Sequence, residues 1–284
     1  MSRKVYPKGT GGLPRMRVLL TLILALLGTG AFAQGPGMGA RDADELLARA
    51  AANSRRLAEA ERLGARTERT ADGRSFGLVW RPAEEPAGWI VTLHGSSSWA
   101  HDEIVLWQPF AAKRRLGILA LQWWFGGGQQ PADYYAPADA RRELERLMTK
   151  VGARPENSLL HGFSRGAANL YGIVALDGST PRPLFRQIVA NSGGMSPDFP
   201  FNRQIERGRF GARPFANTRW WLYCGAGDPN PERDGCPAMR RTRDWLETRA
   251  AKAELAEDAG GDHGGFHRRA QNVERALDWF LGRR

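Results

Sequence analysis

The chain has 284 residues, 42% of them hydrophobic and 25% charged, an ordinary globular balance that excludes a disordered or fibrous protein. Its formal charge of +11 would suit a polyanion binder, but Arg3, Lys4, Lys8, Arg15 and Arg17 place much of that surplus in the leading segment. The rest is spread along the chain without a Lys/Arg block, so nucleic acid is not expected as a partner.

In chain order, the first feature is a basic stretch through Arg17, followed by the ten apolar residues from Val18 to Leu27 and small residues at Ala31 and Ala33. This reads as a secretory signal over residues 1–33, cut after Ala33. A membrane span needs roughly 20 apolar residues, so no stable anchor is expected after cleavage. The mature protein is then expected in the bacterial periplasm or outside the cell. Residues 34–65 comprise a Gly/Pro-rich segment to Ala40, expected to be mobile, and a helix from Arg41 to about Leu63, in which Leu46, Leu47, Ala50, Leu57 and Ala60 recur at helical spacing. Residues 66–284 are expected to form one domain. It opens with a hairpin of Arg66–Thr70 and Arg74–Trp80 about Ala71-Asp72-Gly73.

From Gly88 short apolar strands alternate with helices. Strands are expected at Trp89–Leu93, Leu116–Trp123, Ser158–Leu160, Arg186–Ala190, Arg219–Cys224 and Glu254–Ala256. Helices are expected at Ala138–Val151, Ala167–Leu176, Pro237–Ala251 and His267–Leu281. The alternation predicts an α/β fold with a mostly parallel central sheet, helices on both faces and an antiparallel N-terminal hairpin. Residues 193–218, rich in Phe, Arg and Pro, are long for a connection and could form a short cap. Export also gives the two cysteines a meaning: Cys224 and Cys236 are expected to pair, since exported thiols oxidise and the loop between them is short.

The chemistry centres on Gly162-Phe163-Ser164-Arg165-Gly166, placed between an expected strand and an expected helix. A G-x-S-x-G pentapeptide is weak evidence in a chain with 34 glycines, so its surroundings must carry the inference. Leu93-His94-Gly95-Ser96 follows the first apolar strand, where the backbone N–H of Ser96 and that of Arg165 can serve as oxyanion donors. Ser97 and Ser98 have no elbow of this kind. His94 reads as a loop histidine bonded to nearby backbone. Gly225-Ala226-Gly227-Asp228 puts a carboxylate at a strand's carboxyl end, with Asp234 in reserve. His263, in the glycine-rich loop after the last strand, is the expected base and His267 the alternate.

These pieces resemble the α/β-hydrolase superfamily over nearly all of Gly88 to Leu281, and are most similar to small secreted esterases of the dienelactone-hydrolase-like or polyester-depolymerase-like kind. The resemblance implies Ser164 as nucleophile, His263 as base and Asp228 as acid, forming an acyl-enzyme with a small-molecule or polymeric ester and needing no cofactor. A prolyl-oligopeptidase-like peptidase and a catalytically inactive envelope-binding protein on the same fold are the alternatives. Trp124, Tyr134 and Tyr135 follow a strand and are expected to line the substrate cleft, with Trp123 packed in the core. Trp99, Trp107 and His101-Asp102-Glu103 are expected in a similar loop, the three polar residues solvated and no metal bound. Phe199, Phe201, Phe210 and Phe215, interleaved with Arg203, Arg207, Arg209 and Arg213, fit the short cap.

Overall fold

Strands that are apolar along their whole length can be buried only where helices cover both faces of a sheet. The computed structural model describes residues 39–283; the secretory signal expected over 1–33 lies outside them. The described residues open with helices α1 (Ala43–Asn53) and α2 (Arg56–Arg62), then strands β1 (Arg66–Arg69), β2 (Phe76–Trp80) and β3 (Gly88–Leu93). Helix α3 (Ala100–Lys113), β4 (Leu116–Leu121), α4 (Pro137–Val151), β5 (Ser158–Phe163) and α5 (Arg165–Gly178) follow. The remainder is β6 (Gln187–Asn191), α6 (Pro200–Glu206), β7 (Arg219–Gly225), α7 (Cys236–Glu247), β8 (Lys252–Asp258), α8 (Gly265–Arg268) and α9 (Ala270–Phe280).

Among the described residues, eight strands form one sheet in the order β1-β2-β4-β3-β5-β6-β7-β8. The β1–β2 hairpin is antiparallel, Arg66 facing Val79 and Arg69 facing Phe76, and β2 runs antiparallel to β4. From β4 onward every pairing is parallel, so the carboxyl ends of β3, β5 and β7 open on one edge, where sites in such sheets collect. β3 and β4 are buried throughout, as the apolar runs require.

Several expectations need correction. The helix expected over 41–63 is two helices, because Ser54 is extended (φ −149°, ψ 130°) and closes α1. The last helix is also split, with Arg269 non-helical (φ −117°, ψ 100°) between α8 and α9 while its guanidinium reaches Asp258 Oδ1 at 3.1 Å. The loop expected around Trp99 and Trp107 is instead α3. Its start is fixed by Asp102, whose Oδ2 accepts from Trp99 N at 3.2 Å and from Ser98 Oγ at 2.9 Å. Ile104, Trp107 and Ala111 lie buried on its inner side, and Pro109 within the helix masks the helical signal. His101 and Glu103 are buried as well, not solvated. Strand β8 is longer than expected, since an edge strand exposes alternate polar residues.

The Cys224–Cys236 disulfide is present and joins the end of β7 to the start of α7. Residues 193–218 carry α6, which packs on α5: Asn202 Nδ2 donates to Ser196 O at 3.0 Å and lies 3.4 Å from Ala168 O. Phe215 is fully buried against Trp220 and Trp245.

Candidate active site

Between β5 and α5 the backbone turns sharply at Ser164, which sits at φ 53°, ψ −118° with its N–H donated to Asn191 O at 2.8 Å. A non-glycine residue in that region is strained and stays there only because its surroundings enforce it. The flanking glycines make the turn sterically feasible. A Cβ on Gly162 would lie 2.7 Å from Gly166 C, and one on Gly166 would lie 2.5 Å from Leu93 O, so the elbow closes only if both positions lack side chains.

Asp228 follows β7 and His263 follows β8, each in the loop at a strand's carboxyl end. The structure brings both to Ser164. His263 Nε2 lies 2.9 Å from Ser164 Oγ, and His263 Nδ1 lies 2.7 Å from Asp228 Oδ2. With Nδ1–H donating to the carboxylate, Nε2 is left to accept from the serine hydroxyl. Asp228 is buried and its other oxygen accepts from Asn230 N at 2.8 Å, so its position is set from two sides. The reserve acid, Asp234, is buried beside them and paired with Arg233 at 2.8 Å. The alternate base, His267, does not reach Ser164: it packs edge-on to Trp107, ring centroids 4.9 Å apart, and burial lowers its pKa to about 3.

Ser96 is exposed on the loop after β3 and faces the same cavity as Ser164 and Arg165. Arg165 is the first residue of α5, where a backbone N–H has no intrahelical acceptor. That loop is braced by Trp123 Nε1, which donates to His94 O at 2.9 Å, and His94 Nδ1 itself meets Gly95 O at 2.8 Å.

Ser164 lines one of two cavities that meet at Arg165. One, of about 200 Å³, holds Ser164 with Ser96, Ser196, Arg233 and Asp234. The other, of about 190 Å³, is mainly aromatic, lined by Trp123, Tyr134, Tyr135, Phe199 and Phe201. Arg165, Asp198 and Phe199 border both. Trp124 does not line either cavity: its indole donates to Gly128 O at 2.9 Å and its ring packs 5.2 Å from Trp99. Trp123 takes the place expected for it. Gln129 joins the walls, its Oε1 accepting from Tyr134 Oη at 2.6 Å and from Arg165 Nη1 at 2.8 Å while its amide donates to Ser97 Oγ. Phe199 and Phe201, expected in a short cap, line the aromatic cavity, whereas Asp198, Arg233 and Gln129 carry no motif and were not expected at the site.

Similarity to solved structures places this architecture. A carboxylesterase from Mesorhizobium loti superposes with a TM-score of 0.58 at 16% identity, covering 76% of this chain and 99% of that one. A hyperthermophilic esterase from the archaeon Pyrobaculum calidifontis gives 0.57 at 15% identity over 83% and 92%. Thermogutta terrifontis esterase 2, solved phosphoramylated by tabun, gives 0.57 at 16% over 77% and 94%. The chain therefore has the α/β-hydrolase fold. No family model and no curated protein matches it.

Proposed function

We propose that this protein is a serine hydrolase that cleaves carboxylic esters. One observation carries the reading: the unbroken hydrogen-bonded series Ser164–His263–Asp228, with contacts of 2.9 and 2.7 Å, at an elbow facing the polar cavity, which adjoins the aromatic one. Ser164 Oγ attacks the ester carbonyl as its proton passes to His263 Nε2, and the backbone amides of Ser96 and Arg165 stabilise the oxyanion. The C–O bond to the alcohol breaks, and His263 gives its proton to the departing oxygen. Water then attacks the acyl-enzyme by the same route, releasing the acid and restoring the serine. Asp228 holds the imidazole in the tautomer with Nε2 free and stabilises its cation. The aromatic cavity suits an apolar or aryl portion of the ester. That esterases are among the solved structures of the same fold supports the reaction class.

The apolar segment before Ala33 and the disulfide support export, with the working protein in the periplasm or medium. Among the described residues no helix is long and apolar enough to cross a membrane. A fluorophosphonate probe is expected to label the wild-type protein and fail to label Ser164→Ala, with turnover of 4-nitrophenyl esters lost in parallel. Equal labelling of the two proteins would defeat the assignment.

A further inference from the structure

Four of the chain's five histidines take no part in the reaction proposed for Ser164. His94, His101, His161 and His267 lie near one another between β3, β5, α3 and α8, and His161 and His267 close on one buried carboxylate, Glu103. His94 Nε2, both ring nitrogens of His101, His161 Nε2 and His267 Nε2 are enclosed without a hydrogen-bond partner. A buried polar atom left unpaired destabilises the fold, and native structures seldom tolerate several together without a bound water or ion to account for them.

Within this group the donor chemistry is specific. Glu103, His161 and His267 each present one ligand atom within 4.8 Å of the other two. Glu103 Oε2 accepts from Thr92 Oγ1 at 2.7 Å and from Trp107 Nε1 at 3.2 Å, so the carboxylate is held in place by neighbours. His161 is fully buried, and its Nδ1 lies 2.8 Å from Thr92 Oγ1. Since that hydroxyl gives its hydrogen to Glu103, Nδ1–H is directed at Thr92 and at Glu103 Oε2, 3.4 Å away, while Nε2 is left without a partner. Such an outer partner, orienting the ring and fixing its tautomer, is what metal-ligating histidines have. His267 Nε2 is likewise enclosed without a hydrogen-bond partner and supplies the third donor atom. The ring of Trp107 stands edge-on to both imidazoles at 4.9 Å, and Phe266 contacts both as well, shielding the group from bulk water.

We propose that Glu103, His161 and His267 bind a divalent transition-metal ion, of which Zn²⁺ best matches two imidazoles and a carboxylate. Around tetrahedral zinc, ligand atoms about 2.0–2.2 Å from the metal sit roughly 3.3 Å from one another. Small side-chain rotations from a spacing of at most 4.8 Å reach that distance. A water completes four-coordination. By its position the ion ties α3 and β5 to α8, the helix that starts two residues after His263, and so anchors the loop presenting that imidazole.

The experiment uses the protein without an affinity tag, stripped with chelator and then equilibrated with Zn²⁺ or Co²⁺. Elemental analysis is expected to find one equivalent of zinc per chain, and Co²⁺ to give the intense visible bands of a tetrahedral site. At a hundredfold excess over Kd, zinc is expected to raise Tm by about 5–10 °C. Glu103→Gln and His267→Ala are expected to lose the metal and the Tm response. His263→Ala is expected to keep both, which separates this site from the Asp228, Asp234 and His263 group, whose ligand atoms also lie close together. A wild-type protein that retains no zinc would overturn the proposal without recourse to any variant. So would zinc retained by both Glu103→Gln and His267→Ala, or lost from His263→Ala.

Discussion

At the scale of single residues, Gln129 connects two parts of the site that come from distant segments. The proposed oxyanion donors belong to separate loops, Ser96 after β3 and Arg165 at the start of α5. Gln129 hydrogen-bonds to Ser97, next to the first, and to the Arg165 guanidinium, while Tyr134 fixes its carbonyl oxygen from a third direction. The Arg165 guanidinium in turn lies 4.3 Å from the Tyr134 ring centroid, a cation–π contact that restrains it. Losing a donor outright typically costs about 10²–10³ in kcat. Because Gln129 positions donors and is not one of them, Gln129→Ala is expected to lower kcat by about 10-fold and leave KM within about twofold. Gln129→Glu keeps the acceptor for Tyr134 and Arg165 but cannot donate to Ser97, so an intermediate kcat is expected. Steady-state kinetics on one 4-nitrophenyl ester distinguishes the cases, and a change confined to KM would contradict the positioning role.

At the scale of elements, the disulfide bounds the segment that presents the acid. Asp228 and Asp234 both lie inside the Cys224–Cys236 loop, between the end of β7 and the start of α7. Closing a loop of this length stabilises the fold by about 3 kcal/mol, chiefly by restricting the unfolded chain. The double variant Cys224→Ser/Cys236→Ser is therefore expected to lose about 2–3 kcal/mol in urea denaturation. Treatment of the wild type with a reductant is expected to reproduce that loss and to leave the double variant unchanged. The disulfide and the Ser164, Asp228 and His263 cluster could be read from the chain because each has a local signature: a short cysteine spacing, glycines that permit a strained turn, polar residues just past apolar strands. Helix α3 had no such signature, as Pro109 interrupts it and its first turn is polar. The choice between Trp123 and Trp124 was not legible either. Neighbouring side chains at the end of a strand face opposite ways, and which one meets the cavity depends on where β4 leaves the sheet, at Leu121. Trp124 then pairs with Tyr134 in an isolated bridge, a long-range contact with no local cue. Phe199, Asp198 and Arg233 reach the site through tertiary packing in the same way.

At the scale of the whole molecule, the carboxyl edge of the sheet presents two cavities of similar size and different chemistry, sharing the wall of Arg165, Asp198 and Phe199. An ester has two sides, so one is expected in the polar cavity at Ser164 and the other past Arg165 in the aromatic cavity. Ala136 stands at the rim of the aromatic cavity, immediately before α4. Enlarging it to tryptophan shortens that cavity while leaving every residue around Ser164 in place. If the acyl chain lies there, Ala136→Trp is expected to move the kcat/KM optimum in a series of 4-nitrophenyl acetate-to-octanoate esters towards shorter chains. Each lost methylene of buried contact is worth about 0.8 kcal/mol, roughly fourfold in kcat/KM. If the alcohol lies there, the acyl series is expected to stay put and the shift to appear in a series of alkyl butyrates. An optimum unmoved in both series would mean that the aromatic cavity takes neither side of the ester, and the polar cavity beside Asp234 and Arg233 would then have to hold the substrate alone.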